Sequence, residues 1–248
     1  MIADTPRCRH RNMKTLSFIC QKGGTGKTTL ALNIAVEAMR RGFTVAVIDL
    51  DPQPSACAWS DLRATRDEPV VIDAKPSRLA AAVETARAQE GLDLLIIDTG
   101  GRTEEGAFAA AKASDLVVVP VQPSAVDLKS IPATRDLIAM AGAPKALAVI
   151  TRTKPFGTRH KESAAWLGQS KISVSDTVIG DRITFQDAYA AGQGVSEYAP
   201  SSRAADEVGE LFRDIAIRLG LKSTRHANKK KSGDVDNGKQ TTKPRRAR

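Results

Sequence analysis

A doubly wound α/β fold, a mostly parallel sheet flanked by helices, is predicted by three features of this 248-residue sequence. Short apolar runs alternate with segments of helical periodicity. The runs carry no polar alternation, so both their faces are buried, as in a parallel sheet covered by helices. Between the first run and the first helical segment lies QKGGTGKTT (21–29), a glycine-rich stretch of phosphate-loop type. Strand, glycine loop and helix in that order bring loop N–H groups and a helix N-terminus onto one anion.

The elements follow in order. LSFIC (16–20) reads as a strand, and 27–41 as a helix ended by Gly42. FTVAVID (43–49) is the second strand, 80–88 an alanine-rich helix, and LDLLIID (92–98) a strand. LVVVPV (116–121) is followed by a helix running through Leu137 to Met140, then ALAVIT (146–151). From Lys161 onward the pattern shifts to short helices. The last spans about 201–219, with Val208, Leu211, Phe212 and Ile215 on one face. That face packs on the core or lies on a membrane surface. Asp206, Glu207, Glu210 and Asp214 on its polar side favour the core, because an anionic membrane would repel them.

The loop departs from the pattern G-x-x-x-x-G-K-[ST] by one residue, Gln21, and adds a second lysine, Lys22. Gly23, Gly24 and Gly26, around Thr25, permit close backbone approach to phosphate. Lys27 is placed for the β and γ phosphates, the Thr28 hydroxyl for Mg²⁺, and Thr29 for the helix start. Such a site needs an acid at a neighbouring strand end to hold the metal's water shell. Asp98 ends one strand, and Asp49 and Asp51 end another. A helix cap is the competing reading for the latter pair.

The net charge of +9 is unevenly placed. Ten Lys and Arg against two Asp give +8 over 221–248, residues 1–12 carry +2, and 13–220 is left with −1. A basic tail points to an anionic partner, nucleic acid first. Residues 221–248 lack apolar residues to bury and are expected to be disordered. MKTLSF (13–18) looks like a natural start, so 1–12 is expected to be a flexible extension and 13–220 the nucleotide-binding domain. Cys8, Cys20 and Cys57 show neither metal spacing nor a disulfide framework, which fits a reduced cytoplasm. The N-terminus shows no apolar h-region, so no secretory signal is expected, and no apolar run is long enough for a membrane span.

Together KGGTGKTT (22–29), VIDLDPQ (47–53), LLIIDTGG (94–101) and VVVPVQPSAVDL (117–128) resemble the ParA/MinD family of deviant Walker A ATPases. The short N-terminus and ITR (150–152) look most like the small plasmid-type, ParF-like members, which lack the operator-binding helix-turn-helix of larger ParA proteins. The resemblance implies ATP and Mg²⁺ as cofactors and weak, partner-stimulated hydrolysis. It implies a homodimer sandwiching two ATP molecules, with Lys22 reaching the partner's nucleotide. An ammonium there would neutralise charge spread over the terminal phosphate oxygens. Asp51 matches the family residue that helps position the attacking water, Asp98 the Walker B metal-shell residue, and Asp49 a support of the same network. Gly100-Gly101 departs from the prolines of many relatives, at the segment expected to respond to the γ-phosphate.

The resemblance also implies non-specific DNA binding, nucleoid association and a centromere-binding ParB/ParG-like partner protein. Arg182 and Arg203 match family segments near DNA, and Arg152, Lys154, Arg159 and Lys161 form a further basic cluster. The expected function is DNA partitioning. Positioning of a protein complex or compartment, or MinD-like membrane association, are the alternatives. Cluster cysteines for an iron-protein reductase and a tyrosine-rich tail for a bacterial tyrosine kinase are missing from this sequence.

Overall fold

The computed structural model describes residues 12–63, 68–101, 103–142, 144–170 and 172–222. The extension at 1–12 and the tail at 221–248 fall almost entirely outside the described residues. The strands are β1 (Lys14–Phe18), β2 (Val45–Asp49), β3 (Val70–Asp73), β4 (Leu94–Asp98), β5 (Leu116–Val121), β6 (Lys145–Ile150) and β7 (Ser173–Val174). They form one parallel sheet in the order β3-β2-β4-β1-β5-β6-β7. The helices are α1 (Lys27–Arg40), α2 (Ser55–Leu62), α3 (Leu79–Arg87), α4 (Glu104–Ala113) and α5 (Ala125–Met140). After them come α6 (Arg159–Gly168), α7 (Ile183–Ala190), α8 (Val195–Tyr198) and α9 (Arg203–Leu219).

Period-two alternation splits the strands between two cores. Leu16, Phe18, Val47, Ile96, Val118 and Val149 face α1, α2, α7, α8 and α9. Ile48, Leu95, Ile97, Val117, Val119 and Ala148 face α3, α4, α5 and α6. Both faces are covered, which is why the strands are apolar throughout. β1 sits two residues earlier than the apolar run predicts. Lys14 and Thr15 join the ladder because it pairs them with Leu94 and Leu95, and Asp115 Oδ2 accepts the Thr15 N–H at 2.8 Å.

The stripe on α9 is core. Val208, Leu211, Phe212 and Ile215 are each no more than 1% exposed, so that face is not available to a membrane. Glu207 leaves the polar side predicted for it and is buried against Arg182. Ser202 caps the helix by accepting the Ala205 N–H, and Gly220 closes it at φ 67°.

The topology fixes the site. The chain crosses to opposite sides of the sheet around β1, and ligands bind beyond strand C-termini at such a switch point. Register places Phe18, Asp98 and Asp49 in one row at that edge.

Candidate nucleotide and cation site

The turn from β1 into α1 forms an open cradle. Gly24 and Gly26 are left-handed, at φ +76° and +95°, where a side chain would be strained. A Cβ on Gly23, Gly24 or Gly26 would meet no atom within 4 Å. Gly26 is the N-cap of α1 and no side chain caps the helix, so its first N–H groups remain for a ligand. Two distant side chains hold the loop: Gln122 Nε2 donates to Gly24 O at 2.7 Å, and Thr151 Oγ1 to Thr25 O at 2.9 Å. Lys27 is buried and its Nζ donates to Lys22 O at 3.2 Å, folded over the loop. These features fit a phosphate chain.

The acidic edge fits Mg²⁺. Thr28 Oγ1 donates to Asp98 Oδ2 at 2.6 Å, while Asp98 Oδ1 is buried with no hydrogen-bond partner among the described residues. Burial pushes the Asp98 carboxyl up to about 7; the Thr28 hydrogen bond opposes this and nearby Asp49 adds to it. A divalent cation would satisfy the orphaned oxygen and restore the carboxylate. Among the described residues no cluster of three or more His, Cys, Asp or Glu could hold a metal. Mg²⁺ needs none, since one or two protein oxygens with phosphates and water complete its octahedron.

Asp49 is engaged elsewhere. Its Oδ2 accepts the N–H groups of Ala56 and Cys57 at 2.8 and 3.4 Å, at the start of α2, and its Oδ1 accepts the Asp51 N–H at 2.9 Å. The geometry is that of a cap supporting the D-x-D turn, not of an oxygen turned to the Thr28–Asp98 pair. Asp51 Oδ1 accepts the Gln53 N–H at 3.0 Å. Asp51 lies beside the segment after β4: a Cβ on Gly100 would stand 3.4 Å from its Cγ.

Gly101 explains the glycine pair through close approach. A Cβ there would lie 2.7 Å from both the N and Cα of Gly23 and 3.0 Å from Lys22 C, so any side chain displaces the cradle. Overpacking of this kind costs about 1–3 kcal/mol, so Gly101→Ala is expected to weaken nucleotide binding about tenfold. Titration with a fluorescent ATP analogue checks this, with circular dichroism to confirm the fold.

Lys22 is held within its own chain. Its Nζ donates to Asp127 Oδ2 at 2.7 Å, with the lysine side chain 38% exposed and the aspartate side chain 3% exposed. Ser124 Oγ donates to the same oxygen and accepts the Asp127 N–H as the cap of α5. Sequence reading missed Asp127, although it sits inside the 117–128 motif.

A family model described as the CobQ/CobB/MinD/ParA nucleotide binding domain matches residues 16–195. The chain belongs to this family. ParA/MinD-type members are P-loop ATPases. The Soj chromosome-partitioning ATPase of Thermus thermophilus is 27% identical, over 84% of this chain and 97% of its own. Maintenance of carboxysome distribution protein A of Halothiobacillus neapolitanus is 25% identical, over 81% of this chain and 95% of its own. In fold, the chain resembles the septum site-determining protein MinD of Pyrococcus horikoshii, solved with Mg-ADP. The TM-score is 0.69 and identity 15%, over 86% of this chain and 99% of that one.

In this ParA/MinD-type chain a cavity of about 230 Å³ adjoins the cradle, lined by Gly26, Thr151, Ile179, Arg182, Phe185 and Tyr189 among others. Its mixture of apolar side chains (Ile179, Phe185) with polar ones (Thr151, Arg182, Tyr189) suits a nucleoside. Arg182 is therefore placed by the cradle. Its guanidinium donates to Glu207 at 2.6 and 3.1 Å, and Arg203 approaches the same carboxylate at 3.4 Å. Arg182 is 27% exposed and Arg203 78%, so the two expected DNA-facing arginines share one acid and differ in access. Arg152 lines the cavity beside the cradle too and, with Lys154 and Arg159, also lines a second cavity of about 410 Å³; Lys161 follows on α6.

Proposed function

We propose that the chain is a ParA-type ATPase that partitions DNA, closing into a dimer around two ATP molecules and then holding non-specific DNA. Lys22 carries the reading. Its ammonium stands at the mouth of the phosphate cradle yet binds a carboxylate instead of turning into that cradle. It therefore serves a phosphate other than its own chain's.

In this reading the N–H groups of 23–29 and Lys27 hold the phosphates, and Thr28 with Asp98 would hold Mg²⁺, which would supply charge to offset that of the phosphates. Asp51 holds the attacking water, while Asp49 stiffens the Asp51 turn through its three backbone contacts. Exposed Arg203 and the cluster Arg152, Lys154, Arg159 and Lys161 face the DNA phosphates; Arg182 serves through Glu207. A centromere-bound ParB/ParG-like protein stimulates hydrolysis and release. Positioning of a protein compartment is the second reading, supported by the similarity to the carboxysome-distribution protein. No helix among the described residues is long and apolar enough to cross a membrane, and the α9 face is already buried.

The test is binding to a random-sequence duplex with ATP, ADP or no nucleotide, for the full chain and for a chain ending at Lys222. ATP-dependent binding by both supports the reading. Binding that ignores nucleotide and disappears with the tail would refute it. Affinity should fall steeply with salt, since each phosphate contact releases a counterion.

A further inference from the structure

Phe156 is 92% exposed, more than any other large apolar side chain among the described residues. It tips the loop between β6 and α6, followed by Gly157 at φ +112°. The loop is anchored at both ends. Thr153 N donates to Ile179 O at 3.1 Å and Asp181 N to Thr153 O at 2.9 Å, while Thr158 Oγ1 donates to Glu162 Oε1 at 2.9 Å beside the first turn of α6. An apolar ring on a loop fixed at its base costs nothing to present but gains nothing from the fold.

Its surroundings are cationic. The cavity beside it is lined by Gln122, Ser124, Arg152, Lys154, Arg159 and His160 among others. Several arginines elsewhere pair with acids: Arg87 with Glu84, Arg135 with Asp136, Arg213 with Glu210, Arg218 with Asp214. Arg152, Lys154, Arg159 and Lys161 have no such ion pair among the described residues. Arg152 also holds a left-handed φ of +52°, rare for a residue with a side chain. Strain of this kind persists where surrounding structure imposes it, and it gathers at functional sites.

We propose that this loop binds single-stranded nucleic acid: Phe156 stacks on an unpaired base while Arg152, Lys154, Arg159 and Lys161 pair with the flanking phosphates. The inference rests on the DNA-binding reading above and narrows it. Four cations disfavour a second copy of the same surface and favour a polyanion. An aromatic at their centre favours one whose base faces are open, because a duplex keeps those faces stacked. Gln122 lines the cavity and also holds Gly24 O, so the loop abuts the nucleotide cradle.

The experiment uses the full chain with ATP, an oligothymidylate and a blunt duplex of equal length. Stacking is worth about 1–3 kcal/mol per base, so Phe156→Ala should weaken oligothymidylate binding about 5- to 150-fold. Duplex affinity should stay within about twofold, since phosphate contacts alone serve it. Phe156→Tyr should restore single-strand binding, and light scattering should show the oligomeric state of Phe156→Ala unchanged. Equal losses on both probes, or no loss on either, overturn the stacking role. A changed oligomeric state overturns it in favour of an interface between copies. If the full chain binds neither probe with ATP, the DNA-binding reading itself fails.

Discussion

Lys22→Ala is expected to abolish ATP-dependent dimerisation while leaving ATP binding by the monomer within about threefold of the parent. The structure separates two lysines that the sequence places five residues apart. Lys27 is buried, donates to the loop carbonyl of Lys22 and serves the cradle of its own chain. Lys22 turns its ammonium to Asp127 on α5 and gives that cradle only its backbone carbonyl. A charged hydrogen bond contributes about 1.5–3 kcal/mol, and a twofold dimer contains two copies, so losing Lys22 should weaken the dimer about 10²- to 10⁴-fold. Light scattering with ATP and with ADP reads the dimer, and calorimetric titration reads the monomer. Asp127→Asn is the companion. In the isolated chain the carboxylate competes with any phosphate for the ammonium, so removing its charge should let dimers form at lower ATP concentration. A Lys22→Ala protein that dimerises normally would sink the cross-subunit role.

The parts of this site contiguous in the chain were legible in the sequence. The cradle is a local pattern, and Asp98 stands out as an acid ending an apolar run. The doubly wound parallel sheet followed from strands without polar alternation, because burial on both faces leaves that mark. What escaped depends on long-range contact. Asp127 gains its role from a lysine 105 positions away. Gly101 reads as a flexible residue until the loop backbone is seen 2.7 Å from its missing side chain. Asp49 is an acid at a strand end, like Asp98, yet one caps a helix while the other bonds Thr28; only the direction of α2 distinguishes them. β3 also escaped, although VVID (70–73) is a β-branched run: it is only four residues long, and it forms an edge strand with Val70 and Ile72 about half exposed.

Arg63→Ala is expected to give the largest loss of stability of any single truncation in the charged network. The Arg63 side chain is 1% exposed and forks onto Glu197, at 2.9 and 3.2 Å. It also donates to Gly192 O at 2.9 Å and Glu68 O at 3.0 Å, and its guanidinium lies 4.6 Å from the Trp59 ring centre. Breaking a buried pair leaves a carboxylate desolvated without its cation, which costs about 3–5 kcal/mol. At about 2–4 °C per kcal/mol for a chain of this size, the melting temperature should fall by roughly 6–20 °C. Arg135→Ala is the control: its pair with Asp136 is solvent-exposed and worth at most about 1 kcal/mol. Arg63→Met combined with Glu197→Leu should recover much of the loss, because an apolar replacement leaves no charge stranded. The consequence reaches the nucleotide site. Arg63 follows α2, whose N-terminus Asp49 caps, and ties it to the turn after α7, a helix whose Tyr189 Oη donates to Ser55 O at 2.8 Å. Loss of the clamp should therefore loosen the Asp51 turn and the nucleoside cavity together, so nucleotide affinity should fall in Arg63→Ala but not in Arg135→Ala. Equal melting temperatures for the two variants would show that this buried fork does not hold the two walls of the site.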